Sequence, residues 1–293
     1  MVNSWSTALD KYDYNADLTK FREKNDYTGG GFTTPSFQAQ VSHTNIKLFE
    51  DLFRKVIVER NFSKVSIIGE VCFWKTYTKK DPHSLTKRML DRFKYEKNFN
   101  NFCINLYNLA ENPTQENFNN FRITCGQPHG FAVPITFLSF FRPDKYPMAD
   151  SVIAHWWCNN KERFGSASSH DFCPYGMISG QDEDIEHNWN VYHQWMNFCQ
   201  KYASILTAKT QLIWRARDVE MAVFYNCQKG LIPLSKLEET TKSNSQRDKT
   251  VNTKPKINWF EKFNTRDTNY APKQYPYWSS GAGPKRNVFR KNK

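Results

Sequence analysis

The spacing of apolar residues constrains the fold of this chain more than any other feature. Apolar side chains recur every three or four residues, as they do on one face of an α-helix. This spacing predicts helices at 46–57, 65–77, 84–93, 99–110, 114–124, 134–141, 151–162, 189–202 and 214–229. The β-branched stretch Val65–Ile68 is also consistent with a strand. Because segments of alternating polarity are scarce, we expect a mainly α protein.

Composition divides the chain into three regions. Residues 1–42 are polar and contain three consecutive glycines, Gly29, Gly30 and Gly31, which predicts an irregular N-terminal arm. Residues 43–234 carry the helical pattern and are expected to form the folded domain. In residues 235–293, Lys, Asn, Thr, Ser and Pro dominate, which predicts a flexible, disordered tail.

The positive charge is concentrated in this tail. The chain carries +12, and residues 235–293 hold 14 Lys and Arg against 5 Asp and Glu, so the tail contributes +9 and the rest +3. Basic residues interleaved with aromatic ones suit phosphates and unpaired bases, and we predict DNA contacts at Lys285 and Arg286. Two alternatives stay open: the tail only improves solubility, or residues 259–263 dock on the core as a short helix.

Several classes of protein are disfavoured. Mean hydropathy is −0.74, and no apolar run approaches the roughly 18 residues of a membrane-spanning helix. The N-terminus lacks the pattern of a signal peptide, so we expect an intracellular protein, in the cytoplasm or in a eukaryotic nucleus. Seven scattered cysteines without a CxxC pair indicate reduced core residues. The acidic stretch 182–186 before His187 is typical of a helix start, and we predict no metal and no cofactor.

A turn-rich segment in the middle of the chain predicts a helical hairpin at about 124–136. A helix is expected to end near Thr124, and Pro134 suits the first position of the next one. Such a hairpin directs backbone N–H groups outward, where they suit a phosphate. A further helix is expected from about Ser151, and Asp150 stands just before it, a position that favours aspartate as a helix cap.

The order of these motifs resembles the helix-hairpin-helix DNA glycosylase superfamily. The hairpin motif corresponds to His129-Gly130-Phe131-Ala132, and the aspartate-bearing motif to Tyr146-Pro147-Met148-Ala149-Asp150. The specific match covers about 30 residues, 126–157, with a looser similarity at 214–222. The resemblance implies a helical domain with a central cleft, in which Asp150 is catalytic. It also implies that the hairpin grips DNA through Gly130 and the backbone of Phe131, Ala132 and Val133.

The chain departs from the family pattern at two places. Ala132 replaces the second hairpin glycine, and no lysine occurs between Gly126 and Asp144, where lyase members of the family carry one. The resemblance therefore implies a monofunctional enzyme, acting as a monomer on duplex DNA with an extruded base. It would hydrolyse the N-glycosidic bond of a damaged or modified base, in repair or in defence against modified foreign DNA.

The sequence leaves two further questions open. A non-catalytic nucleic-acid-binding protein on the same scaffold is the alternative function, with Asp150 as a plain helix cap. Arg215 and Arg217 flank Asp218 on an expected helix. These arginines are candidate phosphate contacts, or they form ion pairs with Asp218 and Glu220.

Overall fold

The computed structural model describes residues 2–14, 18, 41–77, 81–127, 130–149, 151–160 and 182–229. These ranges contain one short antiparallel pair of strands, in which β1 (Asp13–Tyr14) lies beside β2 (Val41–Ser42), and a 3-10 turn at Phe62–Lys64. The remaining regular structure is helical, and the prediction of a mainly α protein is confirmed. The helices are α1 Val2–Asp10, α2 His43–Glu59, α3 Ser66–Thr76, α4 Pro82–Arg92, α5 Glu96–Glu111, α6 Gln115–Thr124, α7 Ala132–Phe141, α8 Ser151–Asn160, α9 Asp182–Thr210 and α10 Ala216–Lys229.

Local capping signals set several helix starts. Thr114 caps α6, because its side chain accepts a hydrogen bond from the Asn117 N–H at 3.2 Å. Asp81 caps α4 in the same way, accepting from the Ser84 N–H at 3.0 Å. Each cap satisfies an N–H group that has no partner within its helix. These starts agree with the predicted ones within about two residues.

Helix α7 lies at the centre of the core. It packs against α2, α3, α5 and α6, and all of its residues from Pro134 to Phe141 are buried. Pro134 is the third residue of α7, so its predicted place at the first position is wrong. Among the described helices, none is both long and apolar enough to cross a membrane.

Helix α3 replaces the strand that remained possible at Val65–Ile68. Ile67 and Ile68 are fully buried within it, and a Cβ added at Gly69 would lie 2.4 Å from the Leu90 side chain of α4. The absent side chain at Gly69 therefore lets α3 and α4 approach closely. Burial against neighbouring helices outweighs the β preference of the branched residues.

The N-terminal region is part of the core, and the prediction of an irregular arm is wrong for residues 2–14. Helix α1 packs on α10, and Trp5 is fully buried with its ring 5.4 Å from that of Tyr202. The buried residues of this region are Trp5, Ala8, Leu9 and Tyr12, which have helical spacing. The prediction of an irregular arm relied on the polar composition of residues 1–42 and did not use this spacing. Residues 19–40, including the three glycines, lie outside the described residues, as does the whole predicted tail 235–293 with Lys285 and Arg286.

We predict that Trp5→Ala lowers the free energy of unfolding by about 3–5 kcal/mol, because it removes a large, fully buried aromatic side chain. Urea denaturation monitored by circular dichroism measures the change. Thr7→Ala on the exposed face of α1 is the control and should change stability by less than about 0.5 kcal/mol. Equal stability of the Trp5 variant and the wild type would contradict the place of α1 in the core.

Candidate nucleic-acid interface

The predicted hairpin joins α6 to α7, and two glycines shape it. Gly126 has φ +69°, in the left-handed region that favours glycine, and it ends α6 with its N–H donating to the Ile123 carbonyl at 2.9 Å. The Gly130 N–H donates to the Gln127 carbonyl at 2.8 Å. A Cβ at position 130 would lie 3.0 Å from the Gln127 Cβ, so the turn is closely packed there as well.

The four hairpin residues that are predicted to contact DNA differ in exposure. Phe131 is buried, and its ring packs 5.0 Å from that of Phe118 and 5.9 Å from that of Tyr192. Its side chain therefore anchors the hairpin and leaves only its backbone for a phosphate. Gly130, Ala132 and Val133 are partly exposed.

The start of α7 has backbone N–H groups to offer. Pro134 has none, and the Ile135 N–H donates to the Phe131 carbonyl at 3.2 Å. No acceptor within the described part of the chain pairs with the N–H groups of Ala132 and Val133. Together with the Phe131 N–H, which also has no acceptor among the described residues, these are the N–H groups that the hairpin can direct at an anion.

The segment that precedes Asp150 is fixed by donors from two helices. At the start of α10, the Arg217 N–H donates to the Pro143 carbonyl at 3.0 Å and the Ala216 N–H to the Asp144 carbonyl at 3.3 Å. Helix α9 supplies three side-chain donors, each at 2.9 Å from its acceptor. They are the Gln200 amide to the Lys145 carbonyl, the Tyr192 hydroxyl to the Pro147 carbonyl, and the Trp195 indole N–H to the Met148 carbonyl.

The second half of this segment, residues 146–149, is also buried. Tyr146, Met148 and Ala149 are each at most 3% exposed, and the Tyr146 hydroxyl donates to the Ala110 carbonyl at 2.7 Å. Five of the seven carbonyl groups in residues 143–149 therefore accept hydrogen bonds from α9 or α10. Asp150 itself lies outside the described residues, and α8 begins at Ser151.

A buried ion cluster contains both predicted DNA-binding arginines, Arg215 just before α10 and Arg217 within it. Arg217 is fully buried; it pairs with Glu220, and its Nε lies 3.4 Å from the Glu50 Oε1. Arg215 donates to the Glu50 carboxylate at 2.6 Å and to that of Asp218 at 2.8 Å. Burial raises the pKa of Glu50 above its usual value, against the opposing charges of Arg215 and Arg217.

The burial of Arg217 contradicts its assignment to DNA binding, and the two ion pairs of Arg215 disfavour that assignment for Arg215. The Arg217 guanidinium has no access to a phosphate, and that of Arg215 is committed to two carboxylates. The alternative, ion pairs with Asp218 and Glu220, is confirmed. The third carboxylate, that of Glu50, comes from α2, 165 residues before Arg215, and no local pattern predicts it.

We predict that Arg217→Met lowers the free energy of unfolding by about 3–5 kcal/mol, because it leaves the buried Glu220 carboxylate without its cation and Glu50 with Arg215 alone. Urea denaturation measures the change. The control is Arg54→Gln, which breaks the exposed pair of Arg54 with Asp51 and should change stability by less than about 1 kcal/mol. If Arg217→Met retained full stability and lost DNA affinity, the residue would be a DNA contact after all.

Two other kinds of site find no support among the described residues. Cys125 is fully buried, and burial raises the pKa of its thiol well above the usual value, which disfavours a role as nucleophile. Within the described ranges, no three His, Cys, Asp or Glu side chains form a group that could hold a metal ion.

One basic residue beside the hairpin was not identified from the sequence. The Arg92 side chain at the end of α4 reaches the hairpin, where its Nη2 donates to the Ile123 carbonyl at 3.3 Å. A Cβ at Gly126 would lie 2.5 Å from the Arg92 Cδ, so glycine at 126 makes room for this side chain. Arg88 and Arg92 are four residues apart in a predicted helix, and this spacing indicates that both lie on one face of it.

A cavity of about 440 Å³ opens beside α9. Gln200, whose amide donates to the Lys145 carbonyl, lines this cavity. Trp214 is the single aromatic residue among those that line it. The lining residues are Asp144, Gln200, Ala203, Ser204, Thr207, Ala208 and Trp214.

Comparison with known proteins identifies no relative of this chain. No protein-family model, no curated protein and no solved structure matches the chain. The resemblance to the helix-hairpin-helix glycosylases rests on the sequence motifs themselves.

Proposed function

We propose that this protein is a monofunctional DNA glycosylase, in which the α6–α7 hairpin binds a DNA phosphate and Asp150 serves the hydrolysis of an N-glycosidic bond. The observation that carries the proposal is the segment 143–149, whose carbonyl groups accept hydrogen bonds from α9 and α10 as far as Met148, two residues before Asp150. A catalytic carboxylate benefits from such a support, because its efficiency depends on a fixed position relative to the sugar.

The hairpin supplies the phosphate contact in this proposal. The two N–H groups at the start of α7, those of Ala132 and Val133, suit a phosphate oxygen, and the positive end of the helix dipole adds to the attraction. The buried Phe131 ring keeps the hairpin in place. Contacts of this kind position the duplex and carry no base specificity.

The proposed chemistry needs one carboxylate and one water. As the N-glycosidic bond breaks, positive charge develops on the sugar, and the Asp150 carboxylate stabilises it while water attacks the anomeric carbon. The bond electrons leave with the base, which takes up a proton, and the products are a free base and an abasic site. Since the hairpin region contains no lysine, we expect hydrolysis by water and no Schiff base.

We predict that Asp150→Asn abolishes base release while DNA affinity stays within a few-fold, because the substitution removes the negative charge and keeps the shape. The substrates are labelled duplexes that each carry one lesion or modified base. Each is treated with the protein and then with hot alkali, which breaks the strand at an abasic site. Asp144→Asn, a carboxylate that is paired with Arg142, is the control and should retain activity.

An Asp150→Asn enzyme that releases the base at the wild-type rate would contradict the catalytic assignment and leave Asp150 a helix cap. The second candidate function is a non-catalytic nucleic-acid-binding protein. The observation that favours it is Ala132, which stands at the first residue of α7 in place of the second hairpin glycine. Tight duplex binding without strand breaks for any lesion would support this alternative.

A further inference from the structure

Helix α4 presents a row of cations to solvent. Its apolar face is buried, with Met89 and Leu90 packed in the core, and the opposite face exposes Lys87, Arg88 and Arg92. We refer to these three residues as the basic ridge. Arg88 and Arg92 are four residues apart and therefore lie on the same face, about 6 Å from each other along the helix axis.

Among the described residues, no carboxylate neutralises the charge of the basic ridge. No carboxylate in the described part of the chain forms an ion pair with Lys87, Arg88 or Arg92. Asp91, the acidic residue on this part of α4, is paired with Lys94 at 3.0 Å. Residues 82–98 hold five Lys and Arg against two Asp and Glu, a net charge of +3.

The basic ridge adjoins the hairpin directly. Arg92 at its end bonds the Ile123 carbonyl and covers Gly126, the residue at which the chain turns from α6 into the hairpin. The guanidinium of Arg92 and the turn are thus in contact, and the ridge extends from there along α4 to Lys87. An anion bound at the hairpin therefore has further cations on one side of it.

We propose that the basic ridge binds the phosphate backbone of DNA next to the phosphate held by the hairpin. The proposal rests on the DNA-binding part of the proposed function. Exposed, uncompensated cations on a rigid helix attract phosphates and release counterions when they bind them. The ridge gives the folded domain a DNA-binding surface of its own, separate from the predicted basic tail.

The test uses the full-length protein, a fluorescein-labelled duplex and a KCl series from about 50 to 200 mM. The variant Lys87→Gln/Arg88→Gln removes two exposed cations. The control, Arg54→Gln/Lys55→Gln, also removes two exposed cations from a helix, but ones paired with Asp51 and Glu59. Fluorescence anisotropy gives the affinity, and the plot of log affinity against log salt gives the number of phosphates contacted.

For the ridge variant, we expect the salt slope to become shallower by about 1.8, since each phosphate contact contributes about 0.9. The control should keep the wild-type slope. A second variant, Arg92→Gln, should make the slope shallower by about 0.9 at the hairpin end of the ridge. Wild-type slopes in both ridge variants, or an equal loss in the control, would overturn the proposal.

Base release from the lesion duplexes is measured with the same variants and separates this proposal from the glycosylase activity. A shallower slope without base release by the wild-type protein would uphold the ridge and refute the glycosylase. Base release together with unchanged ridge slopes would uphold the glycosylase and refute the ridge. At saturating DNA, we expect the ridge variant to release base at the wild-type rate, because the ridge contacts phosphates away from the reacting sugar.

Discussion

The hydrogen bonds that α9 and α10 donate to the chain before Asp150 fix the course of the connection between α7 and α8. Residues 143–149 are not helical and are mostly buried, so their carbonyl groups need donors from elsewhere in the protein. Tyr192, Trp195 and Gln200 provide three, and the first N–H groups of α10 provide two more. A net contribution of about 1 kcal/mol for each bond makes this connection one of the better secured non-helical segments in the described structure.

The buried ion cluster also contacts residues 143–149, because Arg217 takes part in both sets of contacts. Arg217 holds the start of α10 through its side chain and bonds Pro143 through its backbone N–H. Glu50 ties that start to α2, since its carboxylate meets both Arg215 and Arg217. Burial raises the pKa of Glu50, and the nearby Asp218 carboxylate adds to this effect, while Arg215 and Arg217 oppose it. Arg215 and Arg217 are thus engaged in ion pairs within the fold.

The sequence predicted what depends on neighbouring residues and missed what depends on distant ones. Helices α5 and α6 were found because periodic apolar residues stop at Pro113 and a Thr114 cap follows. The hairpin glycines were found for the same reason, since a sharp turn needs them locally. Tertiary packing determines that Arg215 pairs with Glu50 on α2, and it determines the acceptors of Tyr192 and Trp195. The spacing of apolar residues along one helix carries no information about such contacts. Asp150, as the catalytic carboxylate, stays a prediction.

Tyr192→Phe and Trp195→Phe test whether the hydrogen bonds from α9 position the segment that we propose to be catalytic. Tyr192→Phe removes one donor to the Pro147 carbonyl, and Trp195→Phe removes one to the Met148 carbonyl. Single-turnover base release from a lesion duplex should slow by about tenfold or more in each variant, while DNA affinity stays within a few-fold. The free energy of unfolding should fall by about 1–3 kcal/mol, and the exposed control Tyr107→Phe should change neither quantity. Wild-type rates of base release in both variants, with the loss of stability present, would contradict the account.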